Sequence, residues 1–128
     1  MRILLDTHTL LWTALSPERL SRKAAEEIAD PENVALVSAA SAWEIATKVR
    51  LGKLRGAEDF ERDFLPAVES AGYTFLSIDA AIALRAGRLT GDHRDPFDRM
   101  IAAQAIADDI PIISADPKLD SFGIRRIW

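Results

Sequence analysis

The chain begins MRILLDTHTLLW, residues 1–12. Residues 2–5 (RILL) are a short apolar run that stops at Asp6, and they read as a buried strand ending in an acid. The same form recurs along the chain. Residues 34–37 (VALV) read as a second strand, 73–78 (YTFLSI) as a third, 110–114 (IPIIS) as a fourth and 124–127 (IRRI) as a short fifth. Between these strands the apolar spacing turns helical. Helices are expected over 9–15 and from Pro17 to about Asp30, the latter capped by Ser16. More follow from Ser38 to near Gly52, over about 57–70, over 80–89 and over 96–108. The last is apolar on most sides and so is expected to be buried. Short apolar strands alternating with helices predict an α/β fold, with a mostly parallel central sheet flanked by α-helices on both faces. Right-handed connections then bring every strand's C-terminal end to one edge, where ligands bind in such sheets.

The 128 residues suit a single domain spanning 1–128. Apolar residues make up 48% and charged residues 28%, which excludes a disordered or collagen-like chain. There is no cysteine, so disulfides, thiolate zinc sites, iron–sulfur clusters and cysteine nucleophiles are excluded together. No apolar run approaches the ~18 residues a membrane span needs, and residues 1–12 do not read as a signal peptide. A cytoplasmic setting with no membrane partner is expected. The net charge of −4 argues against wrapping nucleic acid by bulk electrostatics. Where the acids sit therefore matters more than their number.

Acids follow the strands. Asp6 follows the first, Glu44 lies just inside the helix after the second, Asp95 and Asp98 open the buried helix before the fourth, and Asp116 follows the fourth. Each also has a structural reading. Asp6, Asp95 and Asp116 can cap helices or turns, and Asp79 is read as a cap. Ser41 and Glu44 fit a capping box, while Asp98 suits a helix's first turn. The joint pattern says more. Carboxylates gathered on one edge without thiols repel one another unless a cation joins them or a proton is shared. Oxygen donors select Mg²⁺ or Mn²⁺, and a carboxylate-lined site of that kind suits phosphodiester hydrolysis.

Four blocks, LLDTHTLLW, SAASAWEIATKVRLGKL, HRDPFDRMIAAQA and PIISADPKLDSF, stand in this order over nearly the whole chain. Together they resemble the PIN domain, and more narrowly the VapC-type toxins of type II toxin–antitoxin pairs. The resemblance implies a Mg²⁺-dependent endoribonuclease, with Mn²⁺ as a substitute, that hydrolyses RNA. It also implies a cognate antitoxin and a homodimer. Carried over residue by residue, the catalytic and metal-binding acids are Asp6, Glu44, Asp98 and Asp116, with Asp6 and Asp98 as the main ligands. Asp95 belongs to the same block and either binds metal or caps the helix. Thr7 and Ser114 match hydroxyl positions that steady the pocket.

Lys48, Arg50, Lys53 and Arg55 form a basic run that either suits a helix C-terminus or contacts RNA phosphates. Arg94 and Arg99 flank the acids and either grip RNA or pair with Asp92 or Asp95. His8 and His93 are read as packing or hydrogen-bonding residues. Trp12, Trp43, Phe60 and Phe64 fall on helix stripes and are read as core, with an apolar groove for an antitoxin segment as the other use. The alternative to a nuclease is a PIN-like or receiver-like Mg²⁺-binding regulatory module without nuclease activity.

Overall fold

The computed structural model describes residues 1–128. Five strands form one all-parallel sheet: β1 (Arg2–Leu5), β2 (Val34–Ser38), β3 (Thr74–Leu76), β4 (Ile112–Ile113) and β5 (Arg126–Ile127). Their order across the sheet is β3-β2-β1-β4-β5. The chain thus winds outward from β1 on one side, then returns to build the other side from β4. The reversal falls between β1 and β4, and in open α/β sheets the crevice at such a point is the ligand site. A receiver-like sheet runs 2-1-3-4-5, so this order removes the receiver-like alternative.

Strand alternation divides the core in two. Ile3, Leu5, Ala35, Val37 and Ile113 face one side, where they meet Leu10, Leu11, Ile45, Phe64 and Val68 from the helices. Leu4, Leu36 and Ile112 face the other, against Ile101, Ala105 and Leu119. The helices are α1 (Thr7–Leu15), α2 (Arg22–Ala29), α3 (Ala39–Arg50), α4 (Glu58–Arg62), α5 (Phe64–Ser70), α6 (Ala80–Arg88) and α7 (Pro96–Asp108). Helix α7 has the bounds its sequence predicts. Its Ala102, Ala103 and Ala105 are buried, as its near-continuous apolar pattern requires.

Three local expectations are corrected. Ser16 makes no side-chain cap. Pro17–Arg19 is an isolated 3₁₀ turn, the chain extends again at Leu20, and Ser21 caps α2 through its Oγ and the Ala24 N–H at 3.0 Å. The helix expected over 57–70 is two helices meeting at Asp63. Pro66 explains the break, because it has no N–H for the Arg62 carbonyl and its ring crowds that oxygen. Trp43 is not a core residue. It is 55% exposed and packs edge-on against Phe97, with ring centroids 4.6 Å apart.

Gln104 on α7 is buried and ties three elements together. Its Oε1 accepts from Ser38 Oγ at the end of β2, and its Nε2 donates to the carbonyls of Leu76 at 3.3 Å and Ser77 at 3.2 Å. Replacing Gln104 with Met keeps the volume and strands these partners. Denaturant unfolding is expected to show a loss of about 1–3 kcal/mol. An unchanged midpoint would mean that water satisfies those groups.

Candidate active site

The C-terminal edge of the sheet opens into a cleft of about 1050 Å³ beside the β1–β4 junction. Asp6, Glu44, Asp92, Asp95, Asp98 and Asp116 all line it, facing the cations Lys48, Arg94 and Lys118. All five acids predicted as metal ligands line this one cleft, but of them only Asp98 and Asp116, with His93, place ligand atoms within 4.8 Å of one another.

Asp6 is buried, at 6% exposure. Its Oδ1 accepts the Thr7 N–H at 2.8 Å, so it caps α1 and starts that helix two residues earlier than the periodicity suggested. Its Oδ2 accepts from Ser114 Oγ at 2.8 Å, and Ser114 Oγ accepts the Asp116 N–H at 3.0 Å. Ser114 thus links the acids after β1 and β4. The Thr7 hydroxyl instead meets Ser41 Oγ at 2.9 Å, so Thr7 supports Asp6 through its backbone and joins α1 to α3 through its side chain. Burial pushes the Asp6 carboxyl above its ordinary value against the Ser114 hydrogen bond, the charge of His8 and the Thr7 N–H, while Glu44 pushes the same way as burial.

Glu44 is not in a capping box. Ser38 caps α3 by accepting the Ala40 N–H at 3.0 Å, which leaves Ser41 for Thr7 and Glu44 for the cleft. Glu44 is 2% exposed. Its Oε2 accepts from Lys48 Nζ one turn on, and its Oε1 is buried with no hydrogen-bond partner. Lys48 is partly buried, which alone would lower its pKa. Its hydrogen bond to Glu44 and the charges of Glu44, Asp95 and Asp98 outweigh this and hold it above its ordinary value.

At the mouth of α7, Asp95 caps the helix: its Oδ1 accepts the N–H groups of Phe97 at 2.9 Å and Asp98 at 3.2 Å. Asp116 caps the turn Pro117–Phe122 through the Lys118 N–H at 2.9 Å. Asp79 caps α6 and lies outside the cleft. Asp98 points inward. Burial and then the fields of Asp6, Asp95, Glu44 and Asp116 push its pKa up to about 8.

Neither histidine packs in the core. His8 is exposed on the cleft wall. His93 Nε2 lies 2.9 Å from Asp98 Oδ2, and its ring stacks on Phe122 with centroids 5.7 Å apart. His93, Asp98 and Asp116 each place a ligand atom within 4.8 Å of the others, the tightest such group in the molecule. Sequence reasoning missed His93 as a site residue. Its one signal was its position just ahead of Asp95, in a loop that has to fold back over α7.

Arg99 neither faces RNA nor pairs with an acid. Its guanidinium donates to the carbonyls of Ala86 at 3.1 Å, His93 at 2.9 Å and Leu89, which pins the α6–α7 loop. Arg94 and Lys48 line the cleft. Arg50, Lys53 and Arg55 are exposed at the end of α3 and beyond it.

The donor set fits a hard divalent cation. It is rich in carboxylate oxygens, one of them is buried without a partner, and burial together with the neighbouring acids raises the pKa of another acid, Asp98, to about 8. A cation would relieve all three conditions. Between about pH 4 and about pH 8, folded Asp98 holds a proton that the unfolded chain has released, so the metal-free protein loses stability as pH rises through that window. Thermal unfolding in EDTA is expected to show a falling midpoint toward pH 8. Asp98→Asn should flatten the slope. A midpoint that rises over this range in the wild type would contradict the placement of Asp98.

No curated protein matches the chain in sequence. Solved structures do resemble it. The Rickettsia felis VapBC2 structure, bound to a DNA fragment from its promoter, aligns at TM-score 0.71 and 15% identity over 99% of this chain and 98% of that one. VapBC-1 from nontypeable Haemophilus influenzae aligns at TM-score 0.71 and 18% identity over 99% and 97%. FitAcB from Neisseria gonorrhoeae aligns at TM-score 0.54 and 17% identity over 98% and 96%. The PIN domain model matches residues 3–124, and the chain belongs to the PIN domain family.

Proposed function

We propose that this protein is a metal-dependent endoribonuclease and the VapC-type toxin of a toxin–antitoxin pair. The observation that carries the nuclease reading is the convergence of Asp6, Glu44, Asp98 and Asp116 on one cleft, with Glu44 Oε1 buried and unpartnered. The toxin reading draws on the PIN family and on structural neighbours that are VapBC and FitAcB assemblies. Asp6, Glu44, Asp98 and Asp116 are the proposed holders of Mg²⁺, with Mn²⁺ as substitute. His93 joins them because its ring nitrogen belongs to the tight group with Asp98 and Asp116. Asp95 keeps a capping role, since its Oδ1 serves two backbone donors. The chemistry that a bound divalent ion supplies at such a cluster is a lowered pKa for the attacking water and charge neutralisation at the phosphodiester.

The chain's own residues do the positioning. Ser114 and the Thr7 N–H fix the two oxygens of Asp6 in one orientation. Lys48 fixes Glu44, leaving its second oxygen turned away from that ion pair. Lys48, Arg94 and Lys118 give the acidic cleft a cationic rim for the flanking phosphates. No helix is long and apolar enough to cross a membrane. The proposed partners are RNA, a cognate antitoxin and a second copy of the chain. Exposed Trp43, Leu65 and Leu84 offer apolar surface for protein contacts. Light scattering on the purified chain is expected to give about twice the monomer mass.

Purified protein incubated with total RNA in Mg²⁺ should yield discrete fragments. EDTA should abolish them, and Asp98→Asn should slow cleavage by on the order of a hundredfold or more. Ser114→Ala, which removes the brace on Asp6 and the acceptor for the Asp116 N–H, should cost about 10- to 100-fold. Folded protein that leaves RNA intact in both Mg²⁺ and Mn²⁺ would overturn the enzyme reading in favour of a regulatory module.

A further inference from the structure

The carboxylate cleft does not end at Trp12. A second cleft of about 390 Å³ shares His8 and Trp12 with it as a common wall and continues to Arg19 and Arg55. The two differ in charge. No carboxylate lines the second cleft, and its two arginines are both exposed. Neither guanidinium makes a hydrogen bond or an ion pair. Arg19 lies instead over the Trp12 ring, 4.6 Å from its centroid, and Trp12 in turn leans on Trp128 at 5.7 Å. In a cleft without carboxylates, two guanidinium groups free of hydrogen bonds beside an aromatic ring form a surface suited to an anion with a flat face.

A nucleotide has both features. Unpaired bases stack on aromatic rings and on guanidinium planes, and phosphates pair with arginine. We propose that the Trp12–Arg19–Arg55 cleft is a nucleotide subsite. It takes the unpaired base and the phosphate of a nucleotide adjoining the phosphodiester held over the carboxylates. This inference rests on the ribonuclease reading and narrows it to single-stranded segments, because a duplex keeps its base faces stacked. Trp12, read from the sequence as core on a helix stripe, and Arg19, which falls in the helix expected from Pro17, thereby become specificity residues. Arg55 is the one member of the basic run that reaches the site.

The test is anisotropy with a labelled, unstructured oligoribonucleotide of mixed sequence, using Asp98→Asn protein so that the probe survives. Adding Trp12→Leu, or Arg19→Gln together with Arg55→Gln, is expected to weaken binding by roughly tenfold or more. The arginine pair should also make the salt dependence shallower, and Trp12→Phe should keep the affinity. In otherwise wild-type protein the same changes should raise KM and spare kcat. The arginines are exposed, so their replacement leaves the fold intact even if Trp12→Leu disturbs it. Unchanged affinity and KM in the arginine pair would overturn the subsite while cleavage of RNA still stands, leaving the cleft to a protein segment. Affinity that depends on these residues in a protein that cuts no RNA would keep the subsite and overturn the ribonuclease reading.

Discussion

Mutual repulsion among carboxylates at the β1–β4 junction is the constraint around which the site is built. Several acids share one cleft, and burial together with their fields raises the pKa of one of them, Asp98, to about 8. Acids so placed weaken a fold unless something fixes each one. Here the fixing groups are short-range and mostly neutral: a serine hydroxyl for Asp6, backbone N–H groups for Asp6, Asp95 and Asp116, and a lysine one helical turn away for Glu44. Together they hold the oxygens in position without cancelling the negative potential that would draw a cation into the cleft.

The sheet makes this economical. Because all five strands run parallel, every helix after a strand starts at the same edge, and every helix start needs an acceptor for its unpaired N–H groups. Aspartate does that job well, so the capping acids arrive at the site as a by-product of topology. Asp6 shows the overlap most clearly: one oxygen caps α1 while the other meets Ser114 across the junction. Capping and site-building are therefore not rival readings of this residue. Asp95 leans toward capping and Asp98 toward the site, although they stand three residues apart.

Much of the fold was legible because it rests on local rules. Apolar runs such as 2–5 and 34–37 are of strand length, and Asp95-Pro96 supplies the cap and first-turn proline that open α7. The acids of the cleft were legible as candidates near strand ends and helix starts, but spacing alone did not separate them from Asp79, and the set Asp6, Glu44, Asp98 and Asp116 came from the resemblance to PIN domains. What escaped the sequence depends on contacts between distant segments. His93 meets Asp98 from a loop that Arg99 holds through the carbonyls of Ala86, Leu89 and His93, a tertiary arrangement with no periodic trace. Ser41 looked like a cap by spacing, yet Ser38 is nearer the end of β2 and takes that place. Trp43 sits on an apolar stripe whose outer edge runs past the rim of the core.

The account's central claim is that these carboxylates form a divalent-cation site. Crystals soaked in Mn²⁺ and measured at a wavelength where manganese scatters anomalously test it most directly. The expected result is an anomalous peak between Asp6, Glu44, Asp98 and Asp116, with Glu44 Oε1 within bonding reach of the ion. Full soaking with no peak in that cleft would contradict the claim and leave the acids as helix caps that share an edge.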